Sequence, residues 1–176
     1  MQRPTRATAS GLTGGGTRMP GTPRIEPGKM TAWAAFLHAN AHVLRRLSAE
    51  LEAADQVPMT TYDILVQLSE AGGSLRLRDL LDRLVVVSQP GLSRRVERLA
   101  AAGLVERRPD PEDGRGVIVR LSRAGRATLR SAAAVHMTGI AREFADRVSD
   151  EEAAVFARVC ARLSVPPGQE AAPPAV

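Results

Sequence analysis

Apolar residues recur at helical spacing along most of the chain between residues 30 and 164. In the first run, steps of three and four residues keep one stripe of a helix apolar, which predicts a long amphipathic helix. Its members are Trp33, Leu37, Asn40, Leu44, Leu47 and Leu51. Asn40 interrupts this stripe. It is either a buried residue that sets the register of a helical interface or a residue that faces a ligand.

The spacing after Pro58 predicts two shorter helices. Thr60 and Asp63 have the spacing of a capping box, which opens a helix over residues 61–70 that ends at a pair of glycines. Its buried residues are expected to be Ile64, Leu65 and Leu68. Leucines at helical spacing then predict a third helix over residues 76–84.

Ser88 is a suitable N-cap for a fourth helix, which is predicted to run to about residue 102 and to end at Gly103. Its apolar stripe, expected to be buried, consists of Leu92, Val96 and Leu99. The rest of its surface carries serine, glutamine, glutamate and arginine. The third and fourth helices, with the turn between them, have the proportions of a helix-turn-helix.

A β-hairpin is predicted after the fourth helix, with strands over residues 104–108 and 116–121 and a polar tip between them. Ser122 is the expected N-cap of a fifth helix that extends to about residue 148. Ser149 and Glu152 form a capping box for a sixth, whose apolar face includes Phe156, Val159 and Leu163. The predicted fold is therefore mainly α, with a small β-hairpin wing beside a helix-turn-helix.

Composition and charge add tails and an electropositive centre to this picture. Residues 1–29 contain few apolar residues and are expected to form a disordered arm, and residues 165–176 are expected to form a flexible tail. The chain has a net charge of +5, and residues 74–130, with 13 arginines against seven acidic residues, carry +6. Such a concentration of arginine favours an anionic partner, most commonly nucleic acid.

Several classes of protein are excluded. No apolar stretch is long enough for a membrane helix and no signal peptide is visible, so a cytoplasmic protein without membrane association is expected. Cys160, the single cysteine, is expected to fill the core, and His136 to pack between helices. His38 and His42 lie four residues apart but lack further ligands, so no metal is expected. No catalytic constellation or cofactor motif is present, so the chain is not expected to be an enzyme.

A helix-turn-helix followed by a hairpin wing can read DNA in both grooves. The fourth helix fits the major groove, where glutamine, serine and arginine donate to base edges. Arg115 at the wing tip would enter the minor groove, oriented by Asp113, and arginines beside these elements would contact phosphates. The predicted DNA-binding residues are Ser88, Gln89, Ser93, Arg94, Arg95, Arg98, Arg108, Asp113 and Arg115, with Arg107 as a further phosphate contact.

The run SQPGLSRRVERLAAAGLVERRPDPEDGRGVIVRLSRAG, residues 88–125, resembles the recognition helix and wing of the MarR (multiple antibiotic resistance regulator) family of bacterial transcription factors. The matching positions are Leu99, Gly103, Leu104, Val105, Arg107, Arg108, Asp113, Gly114, Arg115, Leu121, Ser122 and Gly125. The element order of residues 31–164 also follows that family. Ser93 stands where members often have threonine, and the first helix lacks the cysteine of the family's peroxide sensors.

The resemblance implies a homodimer built from the first, fifth and sixth helices. The chain then divides into an arm (1–29), a first dimerisation helix (30–57), a winged helix-turn-helix domain (58–122), two more dimerisation helices (123–164) and a tail (165–176). The resemblance also implies an effector cleft between the dimerisation helices and the winged domain. Its expected lining is Trp33, Phe36, Asn40 and Tyr62; the alternative for Trp33 and Phe36 is a place in the core of the dimer.

The expected function is that of a homodimeric repressor, which binds a pseudo-palindromic operator in double-stranded DNA and is released by a small amphipathic or phenolic effector. Two alternatives remain open. A winged helix can dock on a protein instead of DNA, in which case Arg94 and Arg115 are dispensable. A nonspecific basic DNA-binding protein would instead depend on the arginine-containing arm, residues 1–29.

Overall fold

The structure is a computed structural model that describes residues 23–84, 89–114 and 116–165. The described chain divides after Leu37 into two compact units. The elements, in chain order, are α1 (Pro27–Ala53), α2 (Met59–Glu70), β1 (Ser74–Arg76), α3 (Leu77–Arg83), α4 (Gln89–Ala101), β2 (Val105–Pro109), β3 (Val117–Leu121), α5 (Arg123–Glu143), a 3-10 turn (Ala145–Arg147) and α6 (Asp150–Leu163). The expectation of a mainly helical fold with a small β wing is confirmed.

The main core of the second unit forms where α2, α3 and α4 pack against one face of the sheet. The apolar stripes predicted for α2 and α4 are buried, whereas of the leucines of α3 Leu80 is buried and Leu77 and Leu81 are partly buried. The buried residues are Ile64, Leu65, Leu68, Leu80, Leu84, Leu92, Val96, Leu99, Val105, Val119 and Leu121. Each fully buried side chain of this size contributes about 1.5–3 kcal/mol relative to an exposed one. The helix-turn-helix and the hairpin therefore share one hydrophobic core.

A second, smaller cluster joins α2 to α5 and to the end of α1. Leu51, Tyr62 and Ala132 are its buried members. His136 on α5 is half-buried, and its ring centroid lies 4.5 Å from that of Tyr62. Burial lowers the pKa of His136, an effect that Glu50 opposes. The neutral imidazole is thus favoured at this helix contact.

The sheet has three antiparallel strands in the order β1-β3-β2. The two hairpin strands are close to their predicted positions, and Val119 pairs with Leu75 on one side and with Arg107 on the other. The sequence did not predict β1, because Leu75 fits the leucine spacing that continues into α3. The strand exists because Gly72 and Gly73, with φ of 79° and 101°, turn the chain so that three residues pair with β3.

Several predicted helix ends were wrong. The capping box of Thr60 and Asp63 is absent: α2 starts at Met59 after Pro58, so Thr60 lies within its first turn and no side chain caps it. Helix α5 ends at Glu143 instead of near residue 148, because Phe144 leaves helical geometry. Helix α1 starts at Pro27, inside the segment expected to be a disordered arm; proline suits a first helical position, where its missing N–H is not needed.

Other predicted caps are confirmed. Ser149 and Glu152 form the expected capping box, in which the hydrogen bonds from Ser149 lower the pKa of Glu152. Gly103 ends the turn after α4 with φ of 71°. Ser122 caps α5, since its Oγ accepts a hydrogen bond from the Gly125 backbone N–H at 2.9 Å.

Ser122 and Gly125 also fasten the start of α5 to the turn between α4 and β2. The Ser122 hydroxyl donates to the Gly103 carbonyl oxygen at 2.7 Å. The Ser122 backbone N–H donates to the Leu104 carbonyl oxygen at 3.1 Å. A Cβ atom on Gly125 would lie 2.1 Å from the Leu104 carbonyl oxygen. The helix can approach this turn so closely only because residue 125 has no side chain.

Three arginine side chains surround Glu143 at the other end of α5. The Glu143 carboxylate is almost fully buried, with Arg46 Nε 3.4 Å and Arg142 Nε 3.3 Å from its Oε1 and Arg147 Nη2 3.2 Å from its Oε2. Arg142 also pairs with Glu50 on α1. Burial alone would raise the pKa of Glu143, but the hydrogen bonds from Arg142 and Arg46 and the charge of Arg147 hold it below its ordinary value.

We expect Gly125→Ala to destabilise the protein by about 1–3 kcal/mol, because the overpacking at Leu104 exceeds the gain of about 1 kcal/mol in helix propensity. Urea denaturation measures this change. Gly28→Ala is the matched control, since no atom lies within 4 Å of a Cβ there and the substitution should be neutral or stabilising. Equal stability of the two variants would contradict the close contact.

We expect Glu143→Gln to lower the free energy of unfolding at pH 7, because the arginines around residue 143 lose their counter-charge. The native pKa of Glu143 is depressed, so its stabilising contribution is present above the unfolded-state pKa of about 4.3 and is lost as the pH falls through the native pKa. The difference between wild type and variant should therefore shrink below about pH 4. A constant difference from pH 7 to pH 3, or an equal loss in Glu52→Gln, would refute this.

Candidate nucleic-acid interface

Helix α4 presents a basic face opposite its buried stripe. Leu92, Val96 and Leu99 anchor the helix in the core. Arg94 and Arg98 are exposed, whereas Ser93 and Arg95 are half-buried. The structure thus carries five of the predicted DNA-binding residues, including Gln89, on one anchored helix. Gln89 is the first residue of that helix, and Ser88 lies outside the described residues.

In the part of the chain that the structure describes, the arginines of α4 lack the acidic partners that most other arginines of the winged domain have. Within the described residues, no acidic group lies within 4 Å of the guanidinium of Arg94, Arg95 or Arg98. Their charge is therefore not neutralised within this part of the chain. Such unpaired, exposed guanidinium groups on a helix that packing holds in place are suited to bind phosphates and the edges of guanine.

Arg107 and Arg108 on β2, predicted together as phosphate contacts, lie on opposite faces of the sheet because successive side chains of a strand alternate. Arg107 Nη1 is 3.6 Å from the Glu97 carboxylate on α4, so this arginine is on the side of the recognition helix. Arg108 is on the outer face, with its Nη2 2.8 Å from Glu106. Only Arg107 shares a surface with the basic face of α4.

The root of the wing holds an ion-pair network that sequence reasoning missed. Asp110 follows β2 and is 4% exposed, and its Oδ2 lies 2.7 Å from Arg76 Nε at the end of β1. Arg76 also pairs with Glu112. The hydrogen bond with Glu112 and the charge of Asp110 raise the pKa of Arg76, which stays charged. An acidic residue between two prolines was the available signal.

Asp113 lies further along the wing and is exposed. Its carbonyl oxygen accepts a hydrogen bond from the Gly116 backbone N–H at 2.7 Å, which closes the loop. Arg115, its predicted partner, lies outside the described residues, so the pairing and the insertion of Arg115 into a groove remain predictions.

The four residues predicted to line an effector cleft have different environments. Trp33 and Phe36 are 53% and 37% exposed, with ring centroids 6.1 Å apart. Asn40 is also exposed. Tyr62 is buried in the second core cluster against His136, whose Nδ1 is buried and accepts or donates no hydrogen bond within the described residues. This orphaned nitrogen next to Tyr62 is a polar group that the sequence did not reveal as a feature of the site.

Other residues singled out from the sequence are not in such a site. His38 and His42 are exposed, and the described residues contain no group of three or more possible metal ligands. Cys160 is half-buried on α6, next to exposed apolar residues. Among the described helices, none is both long and apolar enough to cross a bilayer.

The geometry can be compared with known proteins. A MarR family model matches residues 55–116, from the end of α1 to the wing. No curated protein sequence gives a match to this chain. AbsC, a MarR family transcriptional regulator from Streptomyces coelicolor, is 28% identical, with a TM-score of 0.72 over 81% of this chain and 96% of that one.

Two further structures share the fold at lower identity. Sco3205, a MarR family transcriptional regulator from Streptomyces coelicolor solved in complex with DNA, is 24% identical, with a TM-score of 0.73 over 82% of this chain and 91% of that one. The organohalide-sensing regulator RdhR in its 2,4-dichlorophenol-bound form is 19% identical, with a TM-score of 0.65 over 84% of this chain and 87% of that one. The resemblance seen in the sequence is confirmed: residues 55–116 match the model of the MarR family, and the fold of the chain is similar to that of MarR family regulators.

Proposed function

We propose that this protein is a cytoplasmic, homodimeric DNA-binding repressor that leaves a pseudo-palindromic operator when a small amphipathic or phenolic effector binds. The observation that carries the DNA-binding part is the unpaired basic face of α4, held by three buried residues of the same helix. A helix anchored in this way loses little backbone entropy when it enters a major groove. The DNA-bound structure of Sco3205, which has the same fold, supports this assignment.

Base recognition would come from α4 and affinity from its surroundings. Arg94 is exposed in the first half of the helix, the part that contacts base edges in helix-turn-helix proteins. Arg95, Arg98 and Arg107 are suited to phosphates on either side. Arg115, with Asp113 beside it, would occupy the minor groove, where the negative potential attracts arginine.

Exposed apolar residues support a homodimer. On α6, Val155, Phe156 and Leu163 are 50%, 47% and 68% exposed, and on α1 Trp33 and Leu44 are 53% and 49% exposed. Isolated apolar residues on a surface are ordinary, but apolar stripes along whole helices mark interaction surfaces. A second copy of the chain is the occupant we propose, because two-fold symmetry then supplies two recognition helices for a palindromic site.

The effector part of the proposal rests on Tyr62 and His136, whose ring centroids lie 4.5 Å apart. Aromatic rings with a few polar groups suit a small phenolic compound. RdhR, which has the same fold, was solved in its 2,4-dichlorophenol-bound form. Release from the operator follows if the effector favours a dimer whose recognition helices no longer match the spacing of the two half-sites.

We expect wild-type protein to enrich an inverted repeat from a randomised duplex pool, with half-site centres about one helical turn apart. Arg94→Ala should weaken binding to the enriched duplex by about 10- to 100-fold, with a much smaller effect on a scrambled duplex, because one bidentate contact to guanine is lost. Fluorescence anisotropy at two salt concentrations measures both.

Arg158→Ala, which removes an exposed arginine of α6, is the matched control for loss of charge. Failure to enrich any sequence, with steep salt dependence on every duplex, would favour the nonspecific DNA-binding protein. Absence of DNA binding altogether would favour a protein-docking winged helix.

We expect the wild-type chain to sediment as a dimer and Leu163→Glu to shift it towards the monomer, because a charge would be buried in the apolar face of α6. Analytical ultracentrifugation over a range of concentrations measures this change. Arg162→Glu changes the neighbouring residue of the same helix and should be milder. A wild-type monomer at all concentrations would contradict the dimer.

A further inference from the structure

Asp110 is an acidic residue buried in a hairpin proposed to bind a polyanion. Its side chain is 2% exposed, and both of its carboxylate oxygens are used. Oδ2 pairs with Arg76 Nε at 2.7 Å, and Oδ1 accepts a hydrogen bond from the Glu112 backbone N–H at 3.0 Å. Burial of a carboxylate costs free energy unless the charge is paired, so Asp110 depends on its contacts with Arg76 and with the Glu112 N–H.

The ion pair connects the two outer strands of the sheet around the end of the central one. Arg76 is the last residue of β1 and pairs in register with Ile118 of β3, whose other neighbour is Arg108 of β2. Asp110 is the first residue after β2. β1 and β2 do not pair with each other, so the contact between Arg76 and Asp110 joins them across the width of β3.

Arg76 also lies at the start of the helix-turn-helix. It is the N-cap residue of α3, so its backbone is fixed both by the pairing of β1 and by the first turn of this helix. The wing root is therefore tied to the helix that precedes the recognition helix, and not only to its own hairpin partner.

The remaining bonds of Asp110 shape the loop that carries the wing tip. Its backbone N–H donates to the Gly116 carbonyl oxygen at 3.0 Å, and Gly116 in turn donates to the Asp113 carbonyl oxygen at 2.7 Å. A Cβ on Gly116 would lie 2.8 Å from the Cβ of Asp110. Glu112, Asp113 and Gly116 are thus held close to Asp110.

We propose that Arg76 and Asp110 are positioning residues that hold the wing in its DNA-binding orientation; this inference rests on the proposed function. Neither residue needs to touch DNA. If the pair is broken, the wing root loses its link to α3, and ordering the wing on DNA costs conformational entropy that the intact pair has already removed.

The direction in which Asp110→Asn changes the affinity for DNA separates this role from simple electrostatics. Asp110→Asn removes a negative charge from the wing root. If charge alone mattered, this substitution would strengthen binding to a polyanion. Because the pair positions the wing, we expect it to weaken binding instead.

The test compares variants of the full-length protein on the duplex that wild type enriches from a randomised pool. We expect about tenfold weaker binding for Asp110→Asn and for Arg76→Gln, and no further loss in the double variant, because both changes break one interaction. The dependence of affinity on salt should also become shallower for Asp110→Asn, which removes no positive charge, since wing contacts to phosphate are lost.

Asp82→Asn is the matched control, because Asp82 is an exposed aspartate of α3 that lines the same hollow between α3 and the wing root. This variant should bind DNA as tightly as wild type or more tightly. Arg76→Lys keeps the charge with fewer donors and should bind with intermediate affinity. Binding by Asp110→Asn equal to that of Asp82→Asn would overturn the proposal.

Hydrogen exchange of the free protein separates failure of this inference from failure of the proposed function. The amides of Glu112 and Gly116 should exchange faster in Asp110→Asn and in Arg76→Gln than in Asp82→Asn. Exchange of the amides of α2 should be the same in all three variants. Unchanged exchange at both amides would overturn the positioning role whether or not the protein binds DNA. Absence of any enriched duplex for wild type would refute the proposed function instead.

Discussion

The burial of Leu92, Val96 and Leu99 is the constraint on which the candidate interface depends. These three side chains fix the rotation of α4 about its own axis, and this rotation decides which residues face solvent. They pack in the same core as Val105, Val119 and Leu121 of the sheet. Helix α4 and the wing are therefore oriented by one set of contacts, and a change in the core would move both.

The distribution of charge follows from this packing. Acidic residues lie next to the arginines of the sheet, as in the contacts of Arg107 with Glu97, Arg108 with Glu106 and Arg76 with Asp110. No such partner stands beside Arg94, Arg95 or Arg98 within the described residues. Three of the arginines of residues 74–130 thus lie on the one helix α4 without an acidic partner in the described chain, which the net charge alone does not reveal.

Local signals predicted the helices, the hairpin and the caps at Ser122 and Ser149, because each depends on residues a few positions apart. β1 was missed, because its three residues become a strand only through pairing with β3, more than 40 positions later. The Arg76 and Asp110 pair was missed for the same reason. The capping box predicted at Thr60 does not form. The burial of Tyr62, Ile64 and Leu65, and not a side-chain cap, decides where α2 begins.

Helix α5 is fastened at both ends. Ser122 and Gly125 join its first turn to the turn after α4, and Glu143 joins its last turn to Arg46 of α1. A helix of 21 residues is about 31 Å long. As a stiff lever of that length, it converts each degree of tilt into a displacement of about half an ångström at the far end. Gly125 packs directly against the Leu104 carbonyl oxygen. A small movement of α5 at Glu143 and its three arginines is therefore transmitted to the turn from which the hairpin starts.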